Sequence, residues 1–162
     1  MHSSLPRKRS GLPMPFFIIN GATGASQAMI MSVCKAGEKL IMPRNVHRSA
    51  INALVVNGAI PVYVDPDENK DLGIPLGMSV EAVERAILAN PDAKAVLVNN
   101  PTYYGVCPDI RRIAKLAHEH GMLLLADEAH GTHFYFGENL PVPLWLPVQI
   151  WHRSAFTRPA AV

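Results

Sequence analysis

The chain has 162 residues, of which 49% are hydrophobic and 17% are charged, and its formal net charge is +2. This length suits one domain with a sizeable buried core. The net charge is too small to indicate a nucleic-acid partner or an anionic membrane surface. No apolar run reaches the roughly 18 residues of a membrane-spanning helix, so neither kind of partner is predicted.

The two cysteines, Cys34 and Cys107, lack the spacing of a metal site or of a redox CxxC motif. We therefore predict no metal site, and we expect reduced cysteines in a cytoplasmic protein. The basic N-terminal segment MHSSLPRKRSGLPMP is not followed by an apolar segment, so it does not have the pattern of a secretory signal.

Helical and extended patterns alternate along the middle of the chain. Helices are predicted at residues 23–35, 46–57, 80–89 and 108–120. Strands are predicted at residues 39–42, 61–65, 95–98 and 122–126. The polar segment between residues 66 and 77 is rich in proline and glycine and is predicted to be a loop.

Particular residues mark the ends of these helices. Gly58 is placed to end the second helix. Ser79 is predicted to cap the third helix, and Pro108 to be the first residue of the fourth. His118 and His120 near the end of the fourth helix are predicted to face solvent, with no functional role.

The alternation of helices and strands predicts an α/β fold. The last two strands are nearly all apolar, which is typical of parallel strands buried on both faces. In open α/β sheets ligands bind beyond the carboxyl ends of the strands. This edge would bring together residues 99–105 (NNPTYYG) and 127–133 (DEAHGTH). The sequence therefore predicts a candidate site there, with Asp127 at the tip of a buried strand.

Each segment taken alone also has a purely structural explanation. An Asp after a strand is often a turn or helix cap, His47 is consistent with a surface histidine, and Tyr103 and Tyr104 with simple packing. The segment NGATGAS at residues 20–26 can bind a phosphate at a helix start. It has neither the GxGxxG nor the GxxxxGK[ST] pattern, so it predicts neither a Rossmann dinucleotide loop nor a P-loop.

Four motifs together are more specific than any one of them. NGATGASQAMIM, MPRNVHRSAINAL, NNPTYYGV and LLADEAHGTHF occur in this order and resemble the major domain of the Orn/Lys/Arg decarboxylases. The resemblance covers residues 17–141. It implies part of the large domain of a pyridoxal-phosphate (PLP) enzyme of the aspartate-aminotransferase fold, with a mostly parallel sheet between helical layers. It also implies a basic amino-acid substrate (ornithine, lysine or arginine) and a homo-oligomer.

The resemblance assigns roles in holding PLP to several residues. Ala22, Thr23 and Gly24 match the loop that binds the phosphate. His47 matches the histidine that stacks on the ring. Asp127 matches the carboxylate that pairs with the protonated ring nitrogen, a pairing that favours the charged form of the ring.

Three further positions complete the implied site. Ala129 would lie beneath the ring, where its small side chain leaves room, and Thr102 and His130 would lie near the rim of the cofactor. His47, Asp127 and His130 are the residues for which the resemblance implies a catalytic role.

One required residue is missing from the chain. In this family a lysine after a Ser-x-His motif, beyond the DEAHG strand, holds PLP as a Schiff base, and here no lysine follows Asp127. Three interpretations remain open. The chain is an inactive fragment, an enzyme with a substitute lysine such as Lys39 or Lys94, or a non-catalytic module that pairs with an intact decarboxylase subunit.

The two ends of the chain differ from the α/β pattern of the middle. If RSAFTRPAAV is read one nucleotide earlier, its codons can yield Val-Ser-Phe-His-Lys-Thr-Gly-Gly-Ser, which contains the missing lysine motif. The N-terminal segment can similarly be shifted to an amphipathic helix. We therefore predict that residues 1–16 and 142–162 are out of frame or disordered, and that residues 17–141 are authentic domain.

Overall fold

The computed structural model describes residues 18–131, 133, 134 and 148–151, the last four as backbone only. The helices are α1 (Gly21–Val33), α2 (Arg48–Asn57), α3 (Val80–Ala89) and α4 (Ile110–Glu119). The strands are β1 (Lys39–Pro43), β2 (Ile60–Val64), β3 (Glu68–Asn69), β4 (Ile74–Pro75), β5 (Ala95–Asn99), β6 (Leu123–Asp127) and β7 (Val148–Trp151).

A central sheet organises these elements in the order β2-β1-β5-β6-β7. The first four strands in this order are parallel, and β7 pairs antiparallel with β6. Between β5 and β6 the register runs from Ala95 opposite Leu123 to Asn99 opposite Asp127. The parallel α/β fold predicted from the sequence is therefore confirmed, and the carboxyl ends of its two central strands lie side by side.

Two apolar layers cover the two faces of the sheet. Alternate residues of a strand point to opposite faces, so Leu40 packs with α1 and α2 while its neighbour Ile41 packs with α3 and α4. In β6, Leu125 belongs to the first layer and Leu124 to the second. Because both faces are covered, the strands are almost wholly apolar, and polar side chains collect beyond the strand ends.

The start of helix α4 and the capping of helix α3 differ from the prediction. Helix α4 begins at Ile110 rather than Pro108, because the Asp109 carboxylate accepts a hydrogen bond from the amide of Arg112 at 3.1 Å and caps the helix. Ser79 stands at the N-cap position of α3, but its side chain makes no capping bond. Its hydroxyl donates instead to Asp67 at 3.5 Å.

Two other local predictions were wrong. The predicted loop at residues 66–77 contains a short antiparallel ribbon of β3 and β4, supported by the amide of Leu76 donating to the carbonyl of Asp67 at 2.7 Å. His118 is buried, whereas His120 is exposed. The 3.6-residue period places His118 on the inner face of α4 with Ala114 and Ala117.

The strand β7 lies in the segment for which the sequence pattern indicated no regular structure. Its backbone pairs with β6 from Leu124 opposite Trp151 to Asp127 opposite Val148. The backbone groups of an open sheet edge can pair with another segment whatever its side-chain period. The rest of the two predicted out-of-frame segments lies outside the described residues. Within the described part of the chain, no helix is long and apolar enough to cross a membrane.

Candidate functional site

A cavity of about 510 Å³ lies at the carboxyl ends of the parallel strands. Its walls come from the start of α1, from the segment before α2 and the first residues of α2, from Pro75 of β4, and from the ends of β5 and β6 with the segments that follow them. The residues predicted from the sequence that line it are Ala22, Thr23, His47, Asp127, Ala129 and His130. The fold thus brings together positions that are more than 100 residues apart in the chain.

Asp127 is the last residue of β6 and is held by one donor on each carboxylate oxygen. Oδ2 accepts from the hydroxyl of Ser26 at 3.0 Å, and Oδ1 accepts from the amide of Ala129 at 3.1 Å. Ser26 is itself buried and lines the cavity. The carboxylate therefore has a fixed orientation in the cavity wall, set by α1 on one side and by its own turn on the other.

Sequence reasoning missed Ser26, although a signal for it was present. Ser26 lies three residues after Thr23 in NGATGAS, and residues three apart share one face of a helix. The face that presents Thr23 to the cavity thus presents Ser26 as well. Other polar lining residues that went unpredicted are Asn45, Arg48 and Ser49, whereas Asn99 belongs to the segment 99–105 that the sequence placed at this edge.

The start of α1 supplies free hydrogen-bond donors to the cavity. Its N-cap residue, Asn20, makes no side-chain capping bond. The amides of Gly21 and Gly24 bond to the carbonyls of Ile18 and Asn20. The amides of Ala22 and Thr23 lie in the first turn, where no helical carbonyl precedes them as a partner. Together with the positive end of the helix dipole, these amides can bind an anionic group.

Gly24 belongs to the same predicted loop but is not among the residues lining the cavity. A Cβ at this position would lie 2.8 Å from the Cβ of Asn20 and 3.3 Å from Cγ2 of Ile18. Such a contact is too short for a real side chain, so Gly24 allows the preceding residues to pack against the helix.

His47 lines the cavity and also caps helix α2. Its Nδ1 accepts from the amide of Ser49 at 3.2 Å and lies 2.8 Å from the Ser49 hydroxyl. Since an acceptor nitrogen has no proton, the neutral ring carries its proton on Nε2. The capping bond fixes the ring at the cavity wall.

Thr102 is not among the residues lining this cavity. It is buried, and its Oγ1 accepts from the amide of Val106 at 3.2 Å. Its own amide donates to the Val106 carbonyl at 2.8 Å. Thr102 therefore shapes the loop after β5.

Aromatic side chains form part of the cavity wall. Tyr103 and His130 meet edge to face with their centroids 5.4 Å apart, and Tyr104 lies 6.0 Å from Tyr103. The two tyrosines are 82% and 52% exposed, so they do not pack into the core. Tyr103 and His130 join the loop after β5 to the turn after β6.

No lysine of the described residues lines the cavity. Lys39 pairs with Asp92 at 3.0 Å, and Lys94 lies 3.5 Å from Glu38. Both lysines stand at the amino ends of their strands, which is the opposite edge of the sheet. This placement argues against either of them as a substitute for the missing lysine.

The cysteines are not activated thiols. Burial raises the pKa of Cys34 to about 11, and burial together with the charge of Glu128 raises the pKa of Cys107 above its ordinary value. Thiols with raised pKa values are poor nucleophiles at neutral pH. Among the described residues, no group of three or more His, Cys, Asp and Glu side chains is arranged to hold a metal ion.

The family model described as the Orn/Lys/Arg decarboxylase major domain matches residues 12–144. The chain belongs to this family. Over 132 residues it is 45% identical to an arginine decarboxylase of Bacillus subtilis (strain 168), a match that covers 82% of this chain and 27% of the relative. It is 31% identical to the lysine decarboxylase LdcA of Pseudomonas aeruginosa, over 79% of this chain and 18% of the relative.

This decarboxylase-family chain thus spans about a quarter of the length of the arginine decarboxylases it matches. Among solved structures it is similar to an N-succinyldiaminopimelate aminotransferase from Mycobacterium tuberculosis, with a TM-score of 0.61 and 22% identity over 76% of this chain and 32% of the other. A Thermus thermophilus aspartate aminotransferase variant matches with a TM-score of 0.58 and 26% identity, over 75% and 33%. The chain is therefore a partial domain of the aminotransferase fold.

Proposed function

We propose that this chain forms the cofactor-binding part of a PLP-dependent decarboxylase that acts on a basic amino acid. The observation that carries the proposal is Asp127, a carboxylate held by two donors in the wall of a cavity of about 510 Å³. The cavity opens at the strand ends where α/β sheets bind ligands, and the family membership supports the same chemistry.

The residues present fit each chemical part of PLP. An ionised carboxylate is an acceptor only, so Asp127 suits a protonated ring nitrogen. The first-turn amides of Ala22 and Thr23, with the Thr23 hydroxyl, suit a phosphate. His47 and Ala129 line the same cavity and would flank the ring. When bound, PLP supplies the electron sink that allows the substrate to lose its carboxylate as CO2.

For the intact enzyme, we propose the chemical class of the substrate and the type of assembly. The family is described by ornithine, lysine and arginine, and curated relatives are named for arginine and lysine, so we propose one of these three amino acids as the substrate of the intact enzyme. The resemblance to the family supports a homo-oligomer as its assembly. We also propose a cytoplasmic location, because both cysteines are free thiols and reduced cysteines are typical of that compartment.

The 162 residues alone are proposed to bind PLP without decarboxylating these amino acids. The cavity lacks a lysine among its described lining residues, and covalent holding of PLP needs one. After incubation with PLP, borohydride reduction and peptide mapping should find no specific pyridoxyl-lysine at Lys39 or Lys94. A stoichiometric adduct at either lysine, together with CO2 release, would establish the chain as an enzyme with a substitute lysine.

The cofactor role is tested best with pyridoxine 5′-phosphate, which has the ring and phosphate of PLP but no aldehyde to react with surface lysines. Replacing Asp127 by Asn should weaken its binding, measured by calorimetry, by about tenfold, because a charge-assisted hydrogen bond to the ring is lost. Binding of inorganic phosphate should be unchanged. The matched control is Asp92→Asn, since Asp92 is exposed and pairs with Lys39 at the opposite edge.

Two results would contradict the proposal. One is a wild-type chain that shows no saturable binding of pyridoxine 5′-phosphate at millimolar concentration. The other is equal affinity in wild type and Asp127→Asn, which would mean that the carboxylate does not meet the ring.

A further inference from the structure

A buried pair of side chains joins the two segments that follow β5 and β6. Asn100 comes directly after β5, and Glu128 comes directly after β6. Each is 1% exposed. Nδ2 of Asn100 donates to Oε1 of Glu128 at 2.6 Å, and the amide of Asn100 donates to the Asp127 carbonyl at 2.9 Å. Asn100 therefore binds the end of β6 through both its backbone and its side chain.

The same two segments also meet at Gly131. A Cβ on Gly131 would lie 2.9 Å from the carbonyl oxygen of Asn100 and 3.0 Å from Cδ of Pro101. The amide of Gly131 donates to the carbonyl of Glu128 at 2.8 Å and closes the turn. The turn that contains Ala129 and His130 is thus packed directly on the loop that leads to Tyr103.

Neither member of the pair lines the cavity. A carboxylate buried this deeply loses its hydration, and hydrogen bonds must compensate for that loss. A buried ionic or polar group is therefore weak evidence for stability, while fixing the register of neighbouring segments is its best-attested use. The positions of Asn100 and Glu128 suit such a use, because each is adjacent to a segment that carries cavity residues.

We propose that Asn100 and Glu128 are a positioning pair that holds the two walls of the cofactor cavity in register. One wall carries Asp127 and Ala129, and the other carries Tyr103. The pair sets their separation without touching the ligand. This inference rests on the proposed PLP-binding function, which it deepens by naming the groups that maintain the site.

Exchanging the donor and the acceptor tests the pair. Asn100→Asp places two buried carboxylates against each other and should weaken pyridoxine 5′-phosphate binding by about tenfold or more. Glu128→Gln keeps an acceptor oxygen for the side-chain amide of Asn100. It should change the affinity for pyridoxine 5′-phosphate by less than about threefold. The double variant reverses the bond, since the Gln amide donates to the Asp carboxylate, and it should regain affinity to within about threefold of wild type.

Hydrogen exchange supplies a readout that needs no cofactor. The backbone amide hydrogens of residues 100 and 131 should exchange faster in Asn100→Asp than in wild type. Their exchange rates should return toward the wild-type rates in the double variant. The amide of Ile60, which donates to the Glu38 carbonyl at 2.8 Å at the far edge of the sheet, should not change. If wild type binds no pyridoxine 5′-phosphate, the proposed function fails, while these rates still decide whether the pair holds the walls.

A matched control separates positioning from stability. Asn90→Asp removes a comparable side-chain amide donor. This amide donates to the carbonyl of Ala86 at 3.1 Å, and Asn90 does not line the cavity. The substitution should lower the thermal midpoint without changing the affinity of the folded protein. The inference is overturned if Asn100→Asp binds as tightly as wild type, or if the double variant fails to fold or to regain affinity and wild-type exchange rates.

Discussion

At the scale of single residues, the orientation of Asp127 depends on a serine in another part of the chain. The Ser26 hydroxyl donates to Oδ2 at 3.0 Å, and it does so from helix α1, which also carries the proposed phosphate donors. The carboxylate proposed to pair with the ring nitrogen and the proposed phosphate site are thereby linked through one helix. A change at Ser26 should therefore alter the binding of the ring through the orientation of Asp127.

Ser26→Ala should reduce affinity for pyridoxine 5′-phosphate by about threefold to tenfold, because Asp127 loses one of its two orienting donors. Calorimetric titration measures this change. Ser32→Ala is the matched control, since the Ser32 hydroxyl donates to the Met29 carbonyl at 2.8 Å on the same helix and away from the cavity. Equal losses in both variants would show that only the helix had been weakened.

The pKa of Cys34 makes the free energy of unfolding depend on pH. Burial, with a further contribution from the charge of Glu38, raises the pKa of this thiol from 9.0 to about 11, and Lys94 acts in the opposite direction. The folded state then keeps a proton that the unfolded state loses. The stabilisation is fully present below pH 9.0 and is lost as the pH rises toward 11.

The loss should amount to roughly 2 kcal/mol in the free energy of unfolding across that pH window. Urea unfolding of wild type and Cys34→Ala at several pH values from 8 to 11 measures it. The alanine variant starts less stable because of the cavity it creates, but the difference between the two proteins should shrink as the pH rises. A constant difference would contradict this assignment.

At the scale of elements, the side chains at the N-cap positions of α3 and α4 behave differently. Asp109 caps α4 through the Arg112 amide, whereas the Ser79 side chain leaves α3 uncapped. The sequence places a good capping residue at both positions. Only the fold shows that Ser79 turns toward Asp67, because the β3–β4 ribbon brings that carboxylate within reach.

Asp109→Ala should therefore lower the free energy of unfolding by about 1 kcal/mol. Ser79→Ala, at the residue that a sequence pattern alone would choose, should change it by less than about 0.5 kcal/mol. Chemical denaturation of the two variants makes the comparison directly. A larger loss in Ser79→Ala than in Asp109→Ala would reverse the assignment of the caps.

At the scale of the whole molecule, the chain spans about a quarter of the length of its curated relatives. We propose that residues 1–16 and 142–162 are encoded out of frame with the domain between them. Sequencing the DNA through both junctions should reveal single-nucleotide shifts, with a Ser-x-His-Lys motif continuous with DEAHG. An uninterrupted frame that encodes the present ends would refute the proposal.

The sequence by itself determined the α/β class and the parallel strands, because apolar strands buried on both faces and helix-spaced patterns are local properties of the chain. The resemblance to the decarboxylases, rather than these patterns, picked out Ala22, Thr23 and His47 among the residues that line the cavity. The position of Asp127 at a strand end followed from the same pattern. So did the expectation that residues 99–105 and 127–133 meet at one edge of the sheet.

Only the tertiary structure decided how the cavity is held together. The Ser26–Asp127 and Asn100–Glu128 bonds link residues 101 and 28 positions apart, and nothing in either local sequence specifies its partner. His118 is buried, and Thr102 and Gly24 do not line the cavity. Both results likewise depend on which elements pack nearby. Long-range hydrogen bonds and burial are properties of the packed chain, so a reading of local patterns could not supply them.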